Sequence, residues 1–125
     1  MHPPTSIVIV DDDPDHVFIV RHVLSAMVPV VPIDVLSDPQ TVRDGLQQAG
    51  TDALVLMDRM FAGTDTIDWL PDLCATRRDL RIVVLSAALF DADYNRAMAA
   101  NANAAFEKPM HLQGWRLLLQ GLLSG

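Results

Sequence analysis

Cysteine is almost missing from the sequence, which has one thiol, Cys74, among 125 residues. A lone thiol cannot form a disulfide within the chain, so a fold held together by disulfides is excluded and a reducing, cytoplasmic location is expected. Long apolar runs are also missing. None approaches the roughly 20 residues that a transmembrane helix needs, so we expect no membrane span.

Basic residues are scarce as well, with 9 Lys and Arg against 16 Asp and Glu and a formal net charge of −7. Nucleic acids and anionic membranes attract basic surfaces, so neither is expected as a direct partner. Apolar residues make up 50 % of the sequence, which favours a packed core over a disordered chain. The length suits one domain, which we place at residues 1–125.

Five short apolar runs alternate with helical patterns along the chain. The runs cover residues 7–10, 33–36, 53–57, 82–85 and 104–106. Those at 7–10 and 53–57 are apolar throughout, which is typical of parallel strands buried on both faces, whereas 33–36 contains Asp34 and is expected near an edge. Alternation of this kind predicts an α/β fold, a doubly wound parallel sheet with right-handed crossovers and helices on both faces.

Two Asp-Pro pairs indicate where helices begin, since Asp caps a helix and Pro fits its first turn. Asp13-Pro14 opens the first helix, and Asp38-Pro39 opens a second that runs to about Ala49. A loop is expected from Asp58 through Gly63. The remaining helices are predicted to carry Ile67 to Cys74, Asp91 to Ala100 and Leu112 to Leu122.

Candidate functional residues lie at the carboxyl ends of four of the five predicted strands. They are Asp11 and Asp12 after the first, Asp58 after the third, Ser86 after the fourth and Lys108 after the fifth. Taken singly, the two N-terminal acids suit helix capping and the others suit solvated loops. Ligands of such sheets bind outside the carboxyl ends of the strands, so together the five residues predict one site.

The chemistry of that rim is specific. Clustered carboxylates repel one another unless a cation is present, and Mg²⁺ prefers carboxylate and water oxygens. Phosphoryl transfer requires positive charge on the transferred oxygens, which the cation and Lys108 would supply. Ser86 can donate a further hydrogen bond. Asp58 is then the nucleophile, forming an acyl phosphate.

These segments resemble the receiver domain of two-component response regulators over essentially the whole chain. The resemblance is carried by Ile7–Pro14, Leu56–Met60, Val84–Ala87 and Phe106–Pro109. It implies a flavodoxin-like sheet of strand order 2-1-3-4-5 and phosphorylation of Asp58. It also implies Mg²⁺, or alternatively Mn²⁺, on Asp12, Asp58 and the Met60 carbonyl, with Asp11 acting mainly through water. The Lys108–Pro109 bond is often cis in this family.

The resemblance also implies partners. The phosphodonor is expected to be a histidine kinase or a histidine phosphotransfer protein. A downstream protein is expected to bind the face formed by the fourth helix, fifth strand and fifth helix, where Leu89, Phe90, Tyr94 and Met98 suggest an apolar patch. We expect a monomer or weak homodimer. The chain is either a single-domain regulator or phosphorelay shuttle, or a piece of a larger protein.

The sequence departs from the family at several positions. Ala62 replaces a proline and Thr66 a glycine in the loop after the acceptor, so greater mobility is expected there. Asn101 replaces a glycine, which is mild because Asn tolerates a left-handed backbone. Ala105 stands where an aromatic signalling residue is usual, and we interpret the neighbouring Phe106 as core.

Three functional hypotheses follow. The leading one is a phosphorylation-controlled switch that is not a turnover enzyme. The second is a degenerate receiver that acts as a phosphorylation-independent docking module. The third is a phosphatase on a related fold, which is disfavoured because Met60 stands where those enzymes carry a second acid. We interpret His2, His16, His22 and His111 as surface residues, since they lack paired ligand spacing.

Overall fold

The structure is a computed structural model that describes residues 4–124, so the prediction for His2 lies outside the described residues. Five parallel strands form its main sheet: β1 (Ile7–Val10), β2 (Ile33–Leu36), β3 (Leu54–Asp58), β4 (Arg81–Ser86) and β5 (Ala104–Glu107). Their order in the sheet is β2-β1-β3-β4-β5. The predicted fold class and strand order are confirmed.

The helices flank this sheet. They are α1 (Pro14–Met27), α2 (Val42–Gln47), α3 (Leu70–Thr76), α4 (Asp91–Ala99) and α5 (Leu112–Ser124), with a 3₁₀ turn at Thr66–Trp69 before α3. Within residues 4–124, no helix combines the length and apolar character that crossing a bilayer requires.

Two apolar cores lie on opposite faces of the sheet because successive strand residues point to opposite sides. One core joins Ile9, Leu56 and Leu85 to Leu24 of α1 and Trp115 of α5. The other joins residues such as Val10, Met57 and Val84 to the helices α2, α3 and α4. Each fully buried aliphatic side chain contributes about 1.5–3 kcal/mol, so the two cores fix the strand ends firmly.

The first Asp-Pro prediction is confirmed and the second is only partly right. Asp13 caps α1 by accepting a hydrogen bond from the Asp15 backbone N–H at 2.9 Å, and Pro14 is the first helical residue. Asp38 instead accepts from the Gln40 N–H at 2.9 Å and forms a turn. The second helix therefore begins at Val42 rather than at Pro39.

The segment after Asp58 is a short antiparallel hairpin rather than the predicted loop. Met60–Phe61 pairs with Thr64–Asp65, and the two turn residues, Ala62 and Gly63, have φ of 50° and 81°. Positive φ at both positions is the geometry of a tight hairpin turn. Phe61 is fully buried and meets the Trp69 ring edge-on at 6.0 Å, which anchors the hairpin to the core.

Two smaller predictions concern the backbone near β5. Asn101 has φ of 77°, the left-handed conformation expected of an Asn in this place. The described residues contain no cis peptide bond, so Lys108–Pro109 is trans and the expectation of a cis bond is wrong.

Candidate functional site

The carboxyl ends of the strands bring the predicted site residues together. Strand β3 lies between β1 and β4, so Asp58 is flanked by the residues that follow β1 and by Ser86 at the end of β4. Carboxylate oxygens of Asp11, Asp12 and Asp58 all lie within 4.8 Å of one another. Asp12 and Asp58 line one cleft together with Met60, Ser86 and Lys108, and Asp11 lies beside it within reach of Lys108.

Lys108 sits at the centre of this cleft. Its ammonium nitrogen lies 3.1 Å from Asp58 Oδ1 and 3.5 Å from Asp11 Oδ2. The side chains of Lys108, Asp58 and Asp11 are 10 %, 11 % and 9 % exposed. Burying a charge at this depth is unfavourable unless it is paired, so Lys108 and the two acids depend on one another.

The electrostatics of Asp58 follow from this setting. Burial raises the pKa of the Asp58 carboxyl above its ordinary value, the Lys108 ammonium opposes that rise, and Asp11 and Asp12 add to it. The ionised form of the Asp58 carboxyl is therefore less favourable than that of an aspartate exposed to water. A cation placed among the acids would relieve it.

Asp11 and Asp12 are not the cap of α1, since Asp13 performs that role. Asp11 accepts a hydrogen bond from the Asp13 N–H at 2.9 Å, and Asp12 accepts one from the Ala62 N–H at 3.2 Å. Asp12 thus ties the hairpin turn to the loop after β1. The interpretation of Asp11 and Asp12 as helix caps is therefore wrong. Both side chains place a carboxylate oxygen near that of Asp58.

The donor set fits a hard divalent cation. Three carboxylates with oxygens this close match the oxygen ligands that Mg²⁺ prefers. The hairpin begins at Met60, two residues after Asp58. Participation of the Met60 carbonyl stays a prediction, as do Mg²⁺ and Mn²⁺ themselves.

Ser86 lines the cleft but has another hydrogen-bond partner. The residue is 6 % exposed, and its hydroxyl donates to the Ala88 carbonyl at 2.7 Å. Since a hydroxyl has one hydrogen to donate, a bond from Ser86 to a phosphoryl oxygen would require this contact to break. The predicted role of Ser86 is therefore that of a group that changes partner.

Thr66 has a structural role that the sequence did not reveal. It is fully buried, and its hydroxyl lies 2.9 Å from the Asp58 carbonyl and 3.1 Å from the Arg59 carbonyl. Its N–H also donates to the Arg59 carbonyl at 2.7 Å. The residue that replaces a family glycine thus fastens the backbone of the acceptor. Greater mobility of this segment stays a prediction.

A charged network joins the acceptor strand to α4. Arg59 contacts Asp65 at 3.3 Å and Asp93 of α4 at 3.1 Å, and Arg96 of α4 also pairs with Asp65. Burial opposes ionisation of Asp65, but hydrogen bonds from Arg96, the Ile67 backbone and Arg59 outweigh it and hold the pKa below its ordinary value. The residue next to Asp58 is thereby coupled to α4.

His16 is the site residue that sequence reasoning missed. Its side chain is 36 % exposed, and its Nδ1 lies 3.1 Å from Lys108 Nζ, 3.5 Å from Asp13 Oδ2 and 3.8 Å from Asp11 Oδ2. His16 is partly exposed, as its interpretation as a surface residue expects, but it also contacts Lys108 in the cleft. Its place in the first turn of α1, three residues after the cap, was the available signal.

The face formed by α4, β5 and α5 departs from expectation. Ala105 is 5 % exposed and packs in the same core as Ala97 of α4. Phe106 is 37 % exposed, so its interpretation as core is wrong. It lies on an edge strand and faces away from Ala105. In the expected patch, Phe90 and Tyr94 are exposed, whereas Leu89 and Met98 pack against the core.

Solved structures show the same fold. The signal receiver domain of a DNA-binding response regulator protein from Colwellia psychrerythraea 34H is 23 % identical, with a TM-score of 0.80 over 96 % of this chain and 98 % of that one. The phosphorylated cyanobacterial phytochrome response regulator RcpA is 19 % identical, with a TM-score of 0.80 over 98 % and 91 %. A CheY-like receiver domain protein from Methanospirillum hungatei JF-1 is 15 % identical, with a TM-score of 0.78 over 97 % and 94 %.

Sequence comparison gives the family directly. A search of curated proteins found no match. The profile of the response regulator receiver domain, however, matches residues 7–119, which include every residue of the cleft described above. The chain therefore belongs to the receiver domain family of response regulators, the signalling switches of two-component systems.

Proposed function

We propose that residues 1–125 form a single receiver domain that accepts a phosphoryl group on Asp58. The observation that carries this proposal is the contact of 3.1 Å between Lys108 Nζ and Asp58 Oδ1, in a cleft that also holds Asp11 and Asp12. A nucleophile, a cation and two further acids at one sheet edge are what phosphoryl acceptance by a carboxylate requires.

The proposed donor is a phosphohistidine of a histidine kinase or a histidine phosphotransfer protein. A carboxylate oxygen of Asp58 attacks phosphorus, the phosphorus–nitrogen bond breaks, and the donor imidazole keeps the electron pair. The product is an acyl phosphate. Lys108 then transfers its hydrogen bond from the Asp58 carboxylate to a phosphoryl oxygen, and Ser86 leaves the Ala88 carbonyl to donate to another.

Asp11, Asp12, Asp58 and the Met60 carbonyl are the groups proposed to hold Mg²⁺, or Mn²⁺ in its place, with Asp11 acting through water. Bound there, the cation would supply positive charge to the transferred phosphoryl oxygens. The close approach of the three carboxylates and the raised pKa of Asp58 support this assignment.

A protein partner is proposed to read the phosphorylated state at the face formed by α4, β5 and α5. Exposed aromatic side chains on that face support it: Phe90 is 70 %, Tyr94 43 % and Phe106 37 % exposed. Aromatic residues are enriched where proteins bind one another. The proposal further includes a cytoplasmic location, a monomer or weak homodimer, and no direct binding to nucleic acid or membrane.

Intact-mass measurement tests the acceptor. Protein incubated with Mg²⁺ and acetyl phosphate is expected to gain the mass of one phosphoryl group, and Asp58→Asn is expected to gain none. Removing the cation with EDTA before loading should prevent the gain. Labelling that persists in Asp58→Asn would rule out this acceptor.

The acyl phosphate is proposed to be long-lived and confined to this protein. Met60 and Ala88 occupy the family positions that tune phosphoryl lifetime, and neither side chain can position an attacking water. A half-life of seconds after loading would contradict this. The protein is also proposed not to turn over external substrates, which an assay on generic phosphoesters checks.

A second candidate is a docking module that works without phosphorylation. The buried Ala105, in the place of the usual signalling aromatic, favours it. The paired acids and Lys108 in the cleft favour the switch instead. Wild-type protein that takes up no phosphoryl mass at any Mg²⁺ concentration would favour the docking module.

A further inference from the structure

The Lys108 ammonium has three hydrogens to donate, and three side-chain atoms of the described residues lie close to its nitrogen. Asp58 Oδ1 lies at 3.1 Å, Asp11 Oδ2 at 3.5 Å and His16 Nδ1 at 3.1 Å. Two of these partners are acids of the proposed acceptor and metal cleft. His16 is the third and comes from the first turn of α1.

We propose that His16 is a positioning residue for phosphoryl transfer, which acts by accepting a hydrogen bond from Lys108 at its unprotonated Nδ1. This inference rests on the function proposed above. It assigns the ring a single tautomer. Because an ammonium can only donate, the nitrogen that faces it must carry the lone pair, and the ring proton must be on Nε2.

A neutral hydrogen-bond acceptor next to Lys108 has an effect that differs from that of a carboxylate. During transfer, Lys108 exchanges its contact with the Asp58 carboxylate for one with a phosphoryl oxygen, so one of its three bonds is replaced. A third acid in place of His16 would hold Lys108 but would also neutralise its charge. A neutral imidazole can hold the Lys108 ammonium in place, and the full positive charge of the ammonium stays available to the phosphoryl oxygens.

The competing explanation is an ordinary surface pair between His16 and Asp13. Nδ1 lies 3.5 Å from Asp13 Oδ2, three residues earlier on the same turn. In that case Nδ1 would carry a hydrogen and donate it to the carboxylate. The shorter contact, 3.1 Å to Lys108 Nζ, favours the lone pair, since an Nδ1–H would point one donor at another.

Nitrogen NMR of the imidazole tests the assignment without any phosphorylation. In metal-free protein, the neutral His16 ring is expected to be protonated at Nε2 and not at Nδ1. Lys108→Met should shift the Nδ1 resonance of His16 and leave that of His22 in place. A proton on Nδ1, or no response to Lys108→Met, would overturn the proposal.

Matched variants test the role in transfer. Asn places its amide oxygen near the position of Nδ1, whereas Gln reaches toward that of Nε2. We expect His16→Ala and His16→Gln to slow labelling by acetyl phosphate about fivefold, the effect of one lost hydrogen bond. His16→Asn should stay within about twofold of wild type. His22→Ala, an exposed histidine of the same helix, should be unchanged.

The outcomes separate this proposal from the one it rests on. Equal labelling of all His16 variants would overturn the role of His16 while the acceptor assignment stands. A loss shared by His16→Asn and His16→Gln would also overturn it, because only one of the two preserves the acceptor. Wild-type protein that takes no label overturns the proposed function, whatever tautomer NMR reports.

Discussion

The acceptor cleft and the face formed by α4, β5 and α5 lie in one small domain and depart from their family to different degrees. The cleft holds the predicted charged residues in the expected places: Asp11, Asp12, Asp58 and Lys108. The three carboxylates lie close together, and the Lys108 ammonium contacts Asp11 and Asp58. On the other face, the position of the signalling aromatic holds a buried Ala105, and the only aromatic of β5 is the exposed Phe106.

The difference separates two demands on the molecule. The proposed phosphoryl transfer would require charges and reacting atoms to be held in a defined geometry in the cleft. Transmission to a partner requires only that some element change position. The Arg59–Asp65–Arg96 network joins the acceptor strand to α4 and offers a connection that needs no aromatic at position 105.

The largest expected effect comes from removing the central cation of the cleft. Lys108→Met should slow labelling by acetyl phosphate by at least about tenfold, because one source of positive charge on the phosphoryl oxygens is lost. Initial rates from intact-mass time courses measure it. Substitution of Arg59, which pairs outside the cleft, should leave the rate within about threefold of wild type, and equal losses would break the contrast between the two regions.

The next prediction concerns the face with the missing aromatic. Ala105→Tyr should lower the free energy of unfolding by about 1–3 kcal/mol, since the site is filled by core neighbours and must be overpacked. Phe106→Ala, one residue along and 37 % exposed, should cost less than about 1 kcal/mol. Urea unfolding measures both. A higher free energy of unfolding for Ala105→Tyr would show that the fold has room for an aromatic ring at this position.

A smaller effect on stability is expected from substitution of Thr66, whose hydroxyl bonds the backbone at Asp58 and Arg59. Thr66→Val keeps the shape of the side chain but removes the hydroxyl that bonds the Asp58 and Arg59 carbonyls, so it should lower the free energy of unfolding by about 1–2 kcal/mol. Thr66→Ser retains the hydroxyl and serves as the control in the same urea titrations. Equal losses in the two variants would point to packing instead.

The smallest effect depends on pH. Because burial raises the folded-state pKa of Asp58, ionised Asp58 weakens the fold, and this penalty appears as pH rises above the ordinary value of 3.8. In metal-free buffer at neutral pH, Asp58→Asn should therefore be slightly more stable than wild type. The advantage should vanish below pH of about 3.8. A destabilised variant at neutral pH would mean that the Lys108 pair outweighs burial.

Much of the fold could be predicted because the strands are recognisable in the sequence. Most of the strands contain a short apolar run that ends near a polar residue, so the parallel sheet and the meeting of Asp11, Asp58 and Lys108 at its carboxyl edge followed from the pattern. The strand order came from the resemblance to the family. The hairpin at 60–65 could not be predicted, because its turn uses Ala62 at positive φ, which residue preferences disfavour.

The missed site contacts have a common physical reason. His16 and Lys108 are 92 positions apart, and their contact exists only once the first turn of α1 and the residue that follows β5 meet in the folded chain. From the sequence, Thr66 was interpreted only as the replacement of a glycine. Its structural role depends on a hydrogen bond from its hydroxyl to the Asp58 carbonyl, and that contact exists only in the folded chain. Phe106 looked like core because strand pattern alone does not tell which end of an edge strand is covered.

Chemical mapping of the acceptor tests the central claim most directly. Protein loaded with acetyl phosphate and Mg²⁺ is treated with borohydride, which reduces an acyl phosphate to an alcohol, and its peptides are then sequenced by mass spectrometry. The account predicts one reduced residue, at position 58, whose yield falls at least about tenfold when Lys108→Met is loaded for the same short time. A reduced residue at Asp11 or Asp12, or phosphate on a hydroxyl such as that of Ser86, would contradict it.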